Sequence, residues 1–263
     1  MNAGPQEERG QPRQAERSVS AMPQEGRSTQ QAEGKRLNSV TPFVHAMNAV
    51  IWKDLAAELR SREMVSAMLV FALIVIFIYN FALDLNPQVR ASLTSGILWV
   101  TLAFAGTLGL NRSMGVEKDR GCLDGLLLAP VDRTAIFFGK AISNFVFMLV
   151  VAAIILPIYS ILYNVSLFNL GLIGVIVLGA WGYVAVGTLL ASMAVQARTR
   201  DVLLPILLFP IAIPLLVSAV KASSGFLDGS AFADFSLFVN ILVAYDVVFT
   251  AVAFMVFDSV VEE

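Results

Sequence analysis

Two short stretches of the chain hold the residue types that could act on a partner or a substrate. The first, "MGVEKDRGCLDGLLLAPVDR", covers residues 114–133 and separates two long apolar runs. Glu117, Lys118, Arg120 and Asp124 offer charge there, while Gly121 and Gly125 weaken a helix by about 1 kcal/mol each against Ala. Drawn as a helix, the stretch aligns Glu117, Arg120 and Asp124 at i, i+3 and i+7. Val116, Leu123, Leu126 and Leu127 take another face, with Asp119 intruding among them, and Pro130 limits the far end. A short, bent helix at a membrane edge fits this pattern. It either presents charges to a partner or is an amphipathic turn shielding the apolar runs.

The second stretch, "FVNILVAYDVVFTAVAFMVF", places Asp246, beside Tyr245, in the middle of an apolar run. A central carboxylate costs about 2.5–3.5 kcal/mol to insert, and each surrounding Leu, Ile, Val or Phe returns about 0.3–0.6 kcal/mol. The run is therefore expected to insert, with Asp246 turned toward protein. Two roles remain open: a functional intramembrane acid, or a neutral or hydrogen-bonded Asp tying two helices together, through Asn144 or Tyr163.

Chemistry of other kinds finds no footing. The pairs Gly34-Lys35 and Gly139-Lys140 lack the upstream glycine and following Ser or Thr of a phosphate-binding loop. His45, Cys122 and the serines form no recognisable triad, and no HExxH occurs. A single cysteine excludes an internal disulfide and any CxxC motif. The expectation is a non-catalytic chain with no metal and no bound cofactor.

The elements that must position these residues are set by composition. Only 14% of residues are charged and 57% are hydrophobic, with mean hydropathy +0.74. Soluble domains carry about 25% charged residues, so this is the composition of a membrane protein. A net charge of −2 leaves no electrostatic footprint for nucleic acid. No cleavable signal is visible, and the first apolar span is expected to direct insertion.

Residues 1–40 are rich in Gln, Glu, Arg, Gly and Ser, and are expected to be a disordered tail, regulatory or dispensable. From 41 to 63, Thr41 can cap a helix and Pro42 suits its first position. Met47, Ile51, Leu55 and Leu59 then recur every four residues, with Asp54, Glu58 and Arg62 alongside. This is an interface helix on the membrane surface or an extension of the first span. Residues 64–263 hold six apolar runs long enough to span, at roughly 64–83, 91–111, 136–162, 170–195, 202–220 and 237–257. Continuous rather than alternating apolar character makes them helices.

One side of these runs collects Lys53, Arg60, Arg62, Arg112, Lys118, Arg120, Arg133, Lys140, Arg198 and Arg200, while Arg90 and Lys221 fall on the other. The positive-inside rule then puts both termini, the 112–135 segment and the 196–201 turn in the cytosol. Pro205, Pro210 and Pro214 in the fifth run kink it, as a hinged wall of a path or as a static bend. Gly187 and Ala191 in the fourth have the spacing of close helix contact, within one subunit or between two.

Four blocks resemble the ABC-2 type permeases, and more narrowly the haem exporter B (CcmB) family of cytochrome c maturation. They are "WKDLAAELRSREMVSAMLVFALIV", "EKDRGCLDGLLLAPVDRTAIFFGK", "GTLLASMAVQARTRDVLLPILLFPIAIPLL" and "AYDVVFTAVAFMVFDSVVEE", which lie within residues 52–263. In the second block Cys122 stands for the family's usual Thr and Asp124 for its usual Glu. The resemblance implies an all-α integral membrane protein: six transmembrane helices, an interface helix and a cytosolic coupling helix at about 112–133. That coupling helix would dock a separate CcmA-like ATPase through Glu117, Lys118, Arg120, Gly121 and Asp124. ATP would be bound and hydrolysed by that partner, explaining the missing phosphate-binding loop. Implied too are a second copy of the chain, CcmC-, CcmD- and CcmE-like partners, haem as possible cargo, and the bacterial cytoplasmic membrane. Other readings are an exporter of a lipid, glycan or drug, and a non-transporting membrane scaffold.

Overall fold

A computed structural model describes residues 24–82, 87–119, 133–195, 197 and 199–260. Seven helices appear among them: α1 Gln24–Ser61, α2 Glu63–Ala82, α3 Pro87–Asp119, α4 Arg133–Tyr163, α5 Leu170–Ala194, α6 Arg200–Leu227 and α7 Phe232–Val260. The chain divides into two compact units, 1–45 and 46–263. Of the first, the described part is the opening of α1. The second holds the rest of α1 and the six helices that are long and apolar enough to cross a membrane. The all-helical, six-span architecture expected from the sequence is the one observed.

Two local expectations differ. The first helix begins at Gln24 rather than Thr41, in a region where Gln, Glu, Arg, Ala and Lys are good helix formers. The other difference is that α3 continues past residue 111 to Asp119, its late charges being paired with neighbouring helices. On α1, the face covered by protein centres on Val50 and Asp54, while Leu59 of the apolar stripe is 75% exposed, open to the membrane surface expected for it. Between α1 and α2 the backbone breaks at Arg62, which adopts φ 54°, the left-handed region that costs a non-glycine residue. Glu58 accepts the Val65 N–H at 2.8 Å and so caps the start of α2.

Helices α3 and α5 form the centre of the bundle, contributing Trp99, Leu98, Leu102, Leu110 and Tyr183, all nearly inaccessible. Lipid tails are as apolar as leucine, so close packing and hydrogen bonds must hold such helices together. Both are present. A Cβ at Gly179 would strike the Trp99 ring and one at Gly187 would strike Leu110, so the small residues of α5 serve contact within one chain. Trp99 Nε1 donates to Ser223 Oγ at 2.9 Å, and Ser95 meets Ser224 at 2.6 Å, joining α3 to α6. Tyr183 donates to the Ala103 carbonyl at 2.8 Å, joining α5 to α3.

All three prolines lie inside α6, which runs on beyond them. Pro205 has no N–H for the carbonyl of Asp201 one turn back. Asn111 Nδ2 supplies the missing donor at 3.3 Å. Tyr245 of α7 donates to the Ile211 carbonyl at 3.1 Å in the same proline-rich part of α6. The far ends of α6 and α7 extend further than expected because Phe226 and Phe235 pack edge to face there, with ring centroids 4.7 Å apart.

Candidate functional site

The charged side chains gather where α1 passes the start of α4. A Cβ at Gly139 would meet Val50 Cβ at 2.8 Å and the Met47 carbonyl at 3.0 Å, so only glycine lets the two backbones come this close. That approach carries Asp54, one helical turn beyond Val50, to Lys140, the residue after Gly139. Lys140 Nζ lies 3.1 Å from Asp54 Oδ2, an ion pair whose geometry falls short of a hydrogen bond, and 2.9 Å from Glu117 Oε1. Lys53 donates to the same Glu117 oxygen and sits 3.3 Å from Asp54 Oδ1. Asp54, Glu117 and Lys140 are all under 10% exposed, whereas the Lys53 side chain is 44% exposed beside a cavity of about 580 Å³.

Two lysines and two carboxylates thus neutralise one another, three of the four being buried. Partial burial works against the Lys53 ammonium, but the hydrogen bond to Glu117 and the charges of Asp54 and Glu117 outweigh it, holding its pKa above the usual lysine value.

Glu117 opens the last turn of α3, and the next two residues extend the pattern. Lys118 Nζ donates to the Val195 carbonyl at 2.6 Å, at the C-terminal end of α5, where the helix dipole favours a cation. Asp119 receives both Arg200 guanidinium nitrogens, at 3.1 and 3.0 Å, at the start of α6. Successive residues of a helix point about 100° apart, so three neighbours in sequence reach α1 and α4, α5, and α6. Arg112 adds an ion pair to Glu63 at the start of α2. The segment that follows this anchored turn, 120–132, lies outside the described residues, and with it Arg120, Gly121 and Asp124.

Asp246 stands in contrast. It is 7% exposed and lies against α5, where a Cβ at Gly182 would run into its Oδ1 and into Leu215. Neither carboxyl oxygen has a hydrogen-bond partner among the described residues. The two expected tethers point elsewhere: Asn144 Nδ2 donates to Thr188 Oγ1 at 3.2 Å, and the Tyr163 hydroxyl to the Ile76 carbonyl at 3.5 Å.

Sequence reasoning singled out Glu117 and Lys118 and did not pair Lys53, Asp54 or Lys140 with them. Lys140 carried a usable signal, being a cation inside an apolar run, beyond its part in the charge asymmetry and in the incomplete Gly-Lys pair. Asp54 carried another, standing beside an apolar stripe where a charge needs a partner.

The CcmB protein family model matches residues 45–262, which is nearly the whole of the second unit. The chain belongs to the CcmB family. Among its relatives is heme exporter protein B of Rhodobacter capsulatus, 27% identical over 172 residues, covering 65% of this chain and 79% of that one. The protein of the same name from Bradyrhizobium diazoefficiens is 25% identical over 185 residues, with 70% and 83% covered. That of Paracoccus denitrificans is also 25% identical over 185 residues, with 67% and 81% covered. As a CcmB member, the chain has its charged network and its isolated Asp246 inside the family-defining region.

Proposed function

We propose that the chain is the permease subunit of an ABC transporter for haem export in cytochrome c maturation, driven by ATP hydrolysis on a separate subunit. The relatives named heme exporter protein B support the cargo. The observation that carries the coupling is the last turn of α3, where Glu117, Lys118 and Asp119 tie one helix end to four others. Segment 120–132 follows that turn directly, and Arg120, Gly121 and Asp124 within it are the residues assigned to docking the ATPase. Glu117 acts one step inward: its carboxylate is engaged by Lys53 and Lys140, so it transmits displacement rather than touching the partner.

The positive charges at this end support a cytosolic position for it and for both termini, in a bacterial cytoplasmic membrane. A second copy of the chain and haem-handling membrane and chaperone subunits complete the assembly. Release of a haem-loaded chaperone is the step that ATP hydrolysis would drive.

Deleting the gene and measuring covalent haem on c-type cytochromes tests the reading. Loss is expected, restored by the intact gene and not by Arg120→Glu, which should also abolish co-purification with the ATPase. Normal cytochromes c in a strain with no second copy would overturn the haem assignment. Unchanged ATPase association in the Arg120 variant would overturn the docking assignment.

A further inference from the structure

The faces of α5 and α7, with Phe138 of α4, bound an open-sided groove of about 690 Å³. Its walls are apolar except at Asp246 and Thr250, and the Trp181 indole N–H is already committed to Thr250 Oγ1 at 3.2 Å. Asp246 lines this groove, its two carboxyl oxygens covered, Oδ1 against Gly182 of α5, and without a hydrogen-bond partner among the described residues; a rotation of the side chain brings them to the groove. An unpaired buried carboxylate is expensive in a hydrocarbon surround, and an opposite charge brought to both oxygens removes most of that cost. From Val243 to Met255 the groove follows α7 for about 18 Å, a little over three turns.

We infer that this groove seats a transmembrane helix of a different membrane protein, one that presents a lysine or arginine to Asp246 at mid-depth. A lipid tail would fill the apolar walls and leave the carboxylate as it is. In the described spans of a second copy no Lys or Arg stands at that depth. In its described spans the Lys and Arg residues are Arg112, Lys118, Lys140, Arg200 and Lys221, all toward helix ends. Asp246 sits ten residues inside the Val256 end of its span, about 15 Å deep. Lys140 is in any case held by Asp54 and Glu117. The groove therefore selects by charge: a helix without a basic residue at that depth leaves the acid buried and alone.

The inference deepens the proposed function by giving one membrane partner its chemistry. It rests on the chain working among other membrane subunits but not on the cargo, since its readout involves no haem. The test uses the full-length tagged protein in its native membrane, with the photo-crosslinking amino acid p-benzoylphenylalanine at Val243 on the groove wall. Irradiation should yield an adduct, sequenced by mass spectrometry, to a transmembrane segment of another protein that contains a Lys or Arg. Asp246→Asn should lower the adduct yield at least ten-fold. Exchanging the charges, Asp246→Lys here with the basic residue changed to Asp in the partner, should restore it.

Val247→Trp leaves the acid in place and blocks the groove from its exposed rim. It should also abolish the adduct, and it decides the matter if the Asp246 variants fail to accumulate. An adduct only to lipid, to a second copy, or to a segment without a basic residue would overturn the inference. So would a yield unaffected by Asp246→Asn, or no restoration on charge exchange. Loss of the adduct pattern with intact cytochrome c maturation would separate failure here from failure of the haem reading.

Discussion

Glu117 and Asp246 are equally hidden, each 7% exposed, yet they live in opposite circumstances. Glu117 meets two ammonium groups, Lys53 and Lys140, and shares them with Asp54. Asp246, near the middle of α7, meets apolar walls and a helix backbone whose N–H groups are already used. Burial alone therefore does not tell what a carboxylate is for. The compensated acid belongs to the architecture of this chain, while the uncompensated one points outside it. A charge pair closed within a protein stabilises it chiefly because breaking it is so costly. A lone charge retained in an apolar groove is a cost that a partner's charge can remove.

The sharpest way to break this comparison is Lys140→Met. It leaves Asp54 and Glu117 buried with only the half-exposed Lys53 between them, and should cost about 3–5 kcal/mol. The measurement is the unfolding temperature of the purified protein in detergent, accompanied by its level in the membrane; an unchanged value would mean that the network carries little. Next comes Gly182→Leu, whose side chain must displace both Asp246 and Leu215 and should cost about 1–3 kcal/mol. Gly174→Ala, with nothing within 4 Å of its Cβ, serves as the neutral control in the same assay.

Asp246→Asn should run the other way. In the chain purified without partners it removes an unpaired charge and no contact, raising stability by about 1 kcal/mol. A clear fall instead would show that the acid has an internal partner after all.

The smallest effect belongs to Lys53→Met, about 1 kcal/mol or less because the side chain is half in water. Its pH dependence has a definite sign. The folded-state pKa of Lys53 is raised, so its contribution is full below the unfolded lysine value, about pH 10. It is then lost as pH climbs through the folded value. The gap between wild type and variant should hold steady from neutral pH to mildly alkaline pH and close at strongly alkaline pH.

The six spans were legible because hydropathy over twenty residues is a long-range average that single residues hardly disturb. The start of α1 was not, since the residues after Gln24 favour helix locally while their composition reads as unstructured. The apolar stripe of Met47, Ile51, Leu55 and Leu59 marked the helix, but the face that packs on the protein, around Val50 and Asp54, left no periodic signal of its own. Asp54 lies inward there because Lys140 awaits it, and that pairing spans more than eighty residues of chain. Asp246 was found at once, since a carboxylate in an apolar run needs no partner to be noticed. That it has no tether among the described residues could only be seen once Asn144 and Tyr163 were placed against other groups.

The end of α3 can be pictured as a mast held by stays. Glu117, Lys118 and Asp119 pull in three directions, and each is tied to a different deck fitting. A mast so rigged cannot lean toward one stay without slackening another. Load arriving from residue 120 onward is thus shared among α1, α4, α5 and α6 together, or the rigging parts as a whole. Under the proposed coupling, the bundle would receive a push as one step, not bend by degrees.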